Sequence, residues 1–237
     1  MGSGGVIAVV AGVELVGALG LSTVTIAAFC GAMGVTWAVY QIARTGTRVA
    51  VLTLLLAGFA VSSLASASVS ILLLLSTRNW NEIMTWLMGD LSQPDAWTRI
   101  RVSLPFVVAS LGVVGVFARD LNAMLLGEEQ AQQLGVDVER VKKILLAAGT
   151  VAAAVAVAMC GIIGFVGLIV PHVVRLLVGP DHRKLLPVTI LAGGTFLVGA
   201  DLVARLVLPP GGLPVGAVTA LAGAPFFMLL LRRRSRA

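Results

Sequence analysis

Charge is scarce in this chain. Only 12% of its 237 residues are Asp, Glu, Lys or Arg, where soluble domains carry roughly 25%. A soluble core is excluded on that ground, and the mean hydropathy of +1.02 agrees. Cysteine is scarcer still: Cys30 and Cys160 lie inside apolar runs without ligand spacing and read as small hydrophobes. Histidine is limited to His172 and His182, ten positions apart and without a matching carboxylate cluster. No H-E-x-x-H, no phosphate-binding P-loop and no Asp-rich diphosphate motif is present. Catalysis inside a membrane needs an activated nucleophile, a metal or paired acids. No catalytic residue and no metal ligand is therefore assigned, and the chain has no motif with which to hydrolyse ATP itself. The opening MGSGGVIAVV lacks a basic n-region and a cleavage site before a soluble domain, so no signal peptide is expected. A net charge of +6 would suggest nucleic acid in a soluble protein, but here the positions of the charges decide, and no nucleic-acid partner is expected.

What is present is apolar length. A helix needs about 20 apolar residues to cross a hydrocarbon core of about 30 Å, and such runs recur. Eight membrane segments are expected, at about 5–22, 24–43, 49–76, 102–119, 141–160, 162–178, 185–208 and 214–231. The fold class is an all-α polytopic helix bundle, one transmembrane domain over 1–237. The sixth segment carries Gly161, Gly164, Gly167 and Pro171. Glycines three apart let backbones approach and Pro171 removes a helical hydrogen bond, so this helix is expected inside the bundle.

Alternating the eight spans puts both termini on one side with thirteen of the Lys and Arg residues; Arg78, Arg99, Arg101 and Arg205 remain opposite. The positive-inside rule makes the first side cytoplasmic. Outside lies 77–101, with three of the four tryptophans. Trp80, Ile83, Met84, Leu87 and Met88 share one helical face, which predicts a short surface helix ended by Gly89 and blocked by Pro94. The uncharged outer loop 209–214 and this segment either face an external partner or form an interfacial cap.

Buried carboxylates would mark ion-coupled transport, each costing about 2.5–3.5 kcal/mol on insertion scales. Glu14 either lines a water-filled path or sits near an interface. Asp201 and Arg205 stand four apart on one helix face, which predicts a structural ion pair. In the third segment Ser63, Ser66 and Ser70 share a face. Serines so placed return hydrogen bonds to the backbone or pack between helices, and a translocation path needs the same spacing.

One long polar run interrupts the apolar chain: Gly127–Lys143, GEEQAQQLGVDVERVKK. Glu128 to Leu134 is built of helix formers with acids in the first turn. Gly135 fits a C-terminal stop and Asp137 the cap of the next helix. Ala131, Leu134 and Val136 offer apolar contacts. The run is either a knob that fits a partner's groove or a solvated loop.

The stretches LNAMLLGEEQAQQLGV, GIIGFVGLIVPHVVRLLVGPDHRKLLP, GADLVARLV, LPVGAVTALAGAPFF, LLLAGFAVSSL and WLMG resemble the iron-siderophore, haem and vitamin B12 family of ABC importer permeases, in register almost end to end. The resemblance implies a type II importer fold in which two permease copies, identical or paralogous, form one pathway. It implies two ABC ATPase subunits below, where ATP and Mg act, a periplasmic or lipoprotein substrate-binding protein above, and surrounding lipid of a bacterial inner membrane. No cofactor is implied for this chain. Leu126, Gly127, Glu128, Glu129, Gln130, Ala131, Leu134, Gly135 and Val136 look like the ATPase-coupling helices, within a cytoplasmic segment of about 120–143. Thr53, Ser63, Ser66, Ser70, Pro214 and Gly216 correspond to the path and gate; Arg78, Arg99 and Arg101 are candidates for docking the binding protein. The expected cargo is a metal chelate, a ferric siderophore first, with haem or cobalamin as alternatives. The beginning departs from the pattern: the family has ten helices and this chain supplies about eight, without the first two. Two other readings stay open, an ion-coupled secondary transporter and a non-transporting fragment of such a permease.

Overall fold

Inside a bilayer no water is available to a bare N–H or C=O, so a spanning chain must satisfy its backbone internally, and helices do this residue by residue. The computed structural model describes residues 23–45, 48–49, 51–75, 87–92, 96–207 and 212–234. Among these are nine helices and one pair of two-residue strands. In chain order they are α1 (Thr23–Ala43), β1 (Arg44–Thr45), β2 (Arg48–Val49), α2 (Val51–Leu75), α3 (Ala96–Val116), α4 (Ala118–Met124), α5 (Glu128–Gln133), α6 (Val138–Cys160), α7 (Val166–Val178), α8 (His182–Val207) and α9 (Val215–Arg234). The all-helical expectation holds, with the β ladder confined to the turn between α1 and α2, where Arg44 pairs with Val49 and Thr45 with Arg48.

Among the described residues, four stretches are long and apolar enough to cross a membrane: Leu52–Ile71, Ala96–Val116, Val138–Cys160 and His182–Val207. Phe29–Ala43, Val166–Val178 and Val215–Met228 are apolar but shorter. Seven of the eight expected segments thus appear as helices, and the first, 5–22, lies outside the described residues, as does the expected surface helix up to residue 86. Gly89, expected to end that helix, has φ +78. Two boundaries need correction. The fourth segment, expected over 102–119, begins at Ala96 and stops at Val116. Arg99 and Arg101 mark that end as loop in a hydropathy reading, but long basic side chains at a helix end carry their charge outward on an apolar stem. The sixth, expected over 162–178, is helical only from Val166.

The reason lies in the backbone between α6 and α7. Gly161 has φ +71 and Phe165, without a glycine's freedom, φ +66, so the chain cannot continue as helix through 161–165. A 13-residue helix such as α7 rises only about 20 Å, less than the hydrocarbon core. The end of α6 and the 87–92 stretch beside it are closed by protein partners. The Asp90 N–H donates to the Cys160 carbonyl at 2.9 Å, and the N–H groups of Val215 and Gly216 donate to Gly89 and Met88 at 3.2 and 3.0 Å.

The chain divides into two units. The first holds Met1–Trp80, Gln93–Val113 and Lys142–Met159, the second Asn81–Ser92, Val114–Val141 and Cys160–Ala237. In the first, α1 packs along α2, and the Phe29 and Phe106 rings meet at 6.3 Å. In the second, α8 packs on α7, α9 and α4. One apolar cluster joins Val170 and Val174 of α7 to Leu185 of α8; another joins Ala200 and Ala204 of α8 to Val215 of α9.

Two glycines of α9 make its contact possible. A Cβ at Gly216 would strike the Met88 carbonyl oxygen and lie 2.8 Å from that of Ile162; one at Gly223 would run into the Phe165 side chain. Around Gly149 of α6 nothing lies within 4 Å. Gly216→Ala and Gly223→Ala should each lower stability by about 1–3 kcal/mol, as overpacking does. Gly149→Ala should leave stability unchanged or raise it slightly. Unfolding in a mixed detergent titration would show the contrast, and equal losses at all three positions would contradict it.

Candidate functional site

The polar run folds as a compact helical hairpin. At the end of α4 the N–H groups of Leu125, Leu126 and Gly127 donate to the carbonyls of Asn122, Ala123 and Met124, at 3.2, 3.1 and 3.1 Å. These three-residue bonds tighten the last turn and use carbonyls that the helix end would leave bare. Gly127, at φ +118, turns the chain into α5. The exit from α5 is a Schellman closure: Gly135, at φ +86, donates to Gln132 at 2.9 Å while Val136 donates to Ala131 at 3.0 Å. Asp137 then accepts the Arg140 N–H on its side chain at 3.1 Å, the expected cap of α6.

The closure sorts the hairpin's side chains. Ala131 is fully buried at 0% exposure and Val138 at 1%. Ala131, expected among the outward apolar contacts, therefore faces inward and shapes the hairpin. Leu126 and Leu134 stand 63% and 65% exposed, beside exposed Glu128, Glu129 and Gln130, with Val136 half-buried. Both faces of the helix are thus defined: a small inward alanine and an outward surface of leucines and acids.

A second cluster is not evident from sequence. The Asn122 amide of α4 donates to Asp181 Oδ1 at 2.6 Å. Its carbonyl accepts the His182 backbone N–H at 2.8 Å and lies 2.8 Å from His182 Nδ1. An ionised carboxylate only accepts, so Asp181 fixes which end of the amide is nitrogen. His182 Nδ1 must then carry its proton. Asp181 also accepts the Arg183 N–H at 3.0 Å, and its carbonyl accepts Leu185 at 2.8 Å, so it caps α8. The Asn122 amide first, then the Arg183 N–H and the Arg183 and Lys184 charges, hold its carboxyl below the ordinary 3.8. An acid just ahead of α8 is a legible cap signal. Asn122, about 60 residues away, has no local signal.

The remaining candidates are dispersed. Thr53 is half-buried on α2, and Ser63, Ser66 and Ser70 are exposed. Ser63 and Ser70 donate to the carbonyls of Phe59 and Ser66 at 2.9 Å, which is local back-bonding within the helix. Pro214 is half-buried and Gly216, expected on the path, is a backbone packing point against Met88 and Ile162. Arg78 lies outside the described residues. Arg99 reaches toward the Met159 carbonyl at 3.5 Å, a cation beside the C-terminus of α6, and Arg101 is exposed. Asp201 and Arg205 form the ion pair, Nε to Oδ2 at 2.8 Å, and Arg205 Nη2 also donates to Ser92 Oγ at 2.7 Å. In the first unit a largely apolar cleft of about 280 Å³ lies between α1 and α6, lined by residues that include Trp37, Tyr40, Leu146 and Lys143.

The family model described as the FecCD transport family matches residues 1–233. The chain is 51% identical over 208 residues to the cobalamin import system permease protein BtuC of Halobacterium salinarum, covering 88% of this chain and 56% of that one. It is 36% identical over 220 residues to the hemin transport system permease protein HmuU of Yersinia pestis, covering 92% and 65%. It is 39% identical over 180 residues to the Fe(3+) dicitrate transport system permease protein FecD of Escherichia coli, covering 76% and 56%. The chain thus spans between about half and two thirds of these curated relatives. A solved ABC transporter chain assigned to the metal-chelate type, in an inward-facing conformation, superposes with a TM-score of 0.76 at 31% identity over 89% of this chain and 71% of that one.

Two outcomes follow from this geometry. Asp137→Ala should free the Arg140 amide and weaken the first turn of α6 by about 1 kcal/mol, read as faster amide exchange there. For Asp181, folding favours the ionised carboxyl, so its contribution is complete above the ordinary 3.8 and fades as pH falls through the lower folded value. Protection of the Arg183 and Leu185 amides, corrected for intrinsic exchange, should hold from neutral pH to about 4 and drop below it. Asp181→Asn should give a flat profile over the same range.

Proposed function

The chain belongs to the FecCD transport family, and we propose that it is the membrane permease of an ATP-driven importer of metal chelates. The observation that carries this reading is the α4–α5 hairpin, a capped structure whose leucines and acids point away from their own unit. A bundle without a nucleotide-binding motif must receive force from outside, and a compact polar knob with two exposed leucines is suited to a groove in a water-soluble motor. ATP and Mg then act in a separate ABC ATPase, two copies per assembly, and this chain takes no catalytic part.

The other partners follow from surfaces. α2 leaves Leu52, Leu55, Leu56, Phe59, Leu64, Ile71 and Leu74 exposed, an apolar surface that lipid or a second permease copy would cover. Basic residues concentrate on the hairpin's side, which the positive-inside rule assigns to the cytoplasm of a plasma membrane. A substrate-binding protein would deliver cargo on the opposite side, near 77–101. Ion coupling has less support, since the Asp201 carboxylate is engaged by Arg205.

The cargo class is the one named for relatives: cobalamin, hemin or ferric dicitrate. At 51% identity against 36%, the cobalamin permease makes a corrinoid the cargo to try first, ahead of the ferric siderophore. Transport would proceed by alternating access, with ATPase closure pressing on the hairpin.

Changing Glu128→Lys and Leu134→Asp together should reduce capture of a co-expressed ABC ATPase by about tenfold or more, as loss of an interface anchor does. Both side chains are exposed, so permease yield should hold, and unfolding should shift by no more than the roughly 0.3–1 kcal/mol that an acid in a helix's first turn is worth. Undiminished capture, together with vanadate-sensitive uptake of labelled cyanocobalamin by the double variant, would refute the assignment.

A further inference from the structure

We propose that Asn122 is a positioning residue that locks the α4–α5 hairpin to the first turn of α8, so that hairpin and helix move as one body. The inference rests on reading the hairpin as the ATPase contact. It starts from a weakness in the hairpin itself. Its helices have seven and six residues, and isolated helices below about 12–15 residues are marginal in water. Its buried side chains, Ala118 and Ala131, are small. A push on such an element would bend it unless polar bonds fix it to something longer.

Asn122 supplies those bonds. Its amide nitrogen donates to Asp181 at 2.6 Å, and its carbonyl accepts the His182 N–H and faces Nδ1, both at 2.8 Å. Both ends of one short side chain are thereby committed to the start of α8, one of them through a charge-assisted bond. From there α8 runs 26 residues, about 39 Å. At its other end Arg205 holds Asp201 at 2.8 Å and Ser92 at 2.7 Å, and the Ser92 N–H donates to Asp90 at 2.7 Å. The Ala204 carbonyl accepts Leu213 at 2.8 Å, just before α9. A movement imposed on Asn122 therefore has a continuous bonded route to the 87–92 loop and the start of α9, within one unit.

The test is a swap. Asn122→Asp sets two carboxylates against each other where a 2.6 Å hydrogen bond stood. Adding Asp181→Asn restores the bond with donor and acceptor exchanged. The carboxylate introduced on α4 would accept from His182 and from the new amide ahead of α8. Asp181 Oδ1 takes both the Asn122 amide and the Arg183 N–H, so the swap restores the joint to α4 while giving up the Arg183 cap, and recovery is read on α5. In nanodiscs, N122D should raise amide exchange at residues 182–185 and across α5 by about tenfold or more, the scale of one lost charge-assisted bond. N122D/D181N should return the exchange across α5 to within about twofold. With a captured ABC ATPase, N122D should keep capture, because the exposed leucines are untouched, but lower permease-stimulated MgATP hydrolysis by about tenfold, and the swap should recover it. Failure of the swap to recover either readout, or a parallel loss of capture and hydrolysis, would overturn the proposal. If the wild-type permease captures no ABC ATPase, the coupling reading fails on its own, while the exchange data still decide whether Asn122 fixes the hairpin to α8.

Discussion

The rest of the structure depends on one demand, that backbone released from helix at 161–165 must find partners in protein. In a bilayer an unsatisfied peptide group costs several kcal/mol, so a break of this kind survives only if other chain segments come to it. Asp90 donates to the Cys160 carbonyl that the break leaves open, the Gly164 and Phe165 carbonyls accept from Val166, Leu168 and Ile169 at the start of α7, and Val215 and Gly216 hold the Met88–Gly89 stretch beside Asp90. This contact explains why α9 carries glycine at 216 and 223, where any side chain would meet backbone or the Phe165 ring. It also accounts for Phe165 at φ +66: left-handed geometry in a bulky residue persists where neighbours over-determine it.

The hairpin obeys the opposite logic. It sits in polar sequence, buries little, and is defined by how its ends are closed. Three short-range bonds finish α4, a Schellman closure finishes α5 and Asp137 opens α6. Such closures fix direction more than they add stability, each being worth about 0.5–2 kcal/mol. The result is a small object of definite shape whose outer surface is free to be chosen for a partner, since Ala131 alone carries the inward packing of α5.

The elements legible in the sequence are those with a local cause. Apolar length places α1, α2, α6, α8 and α9 within a few residues, and the i, i+4 spacing of Asp201 and Arg205 gives their pair. Gly135 and Asp137 give the two closures of the hairpin because turn chemistry is written in the turn. What fails to show are consequences of distant contacts. A hydrophobic run reads the same whether helical or broken, so 162–165 reads as helix although Gly161 ends α6. Arg99 and Arg101 look like loop because charge and helix compete in any hydropathy reading. Asn122 has nothing beside it to mark it, its partners lying about 60 positions on.

Those distant contacts also have a direction. Among the described residues, side chain–side chain contacts that tie α8 to other elements at hydrogen-bond distance stand at its two ends: Asn122 with Asp181 and with His182 at the start, Arg205 with Ser92 at the finish. In a chain with only 12% charged residues, the placement of such contacts is informative. Between those ends α8 is held by apolar packing through Leu185, Ala200 and Ala204, which resists separation but is non-directional and lets surfaces slide. Directional bonds at the ends resist sliding and rotation where apolar contacts do not. A helix fixed in this way moves along its length with whatever holds it, and what holds it at one end is the hairpin. The scarcity of charge that marks the chain as a membrane protein is thus what makes its few polar contacts readable as mechanical joints.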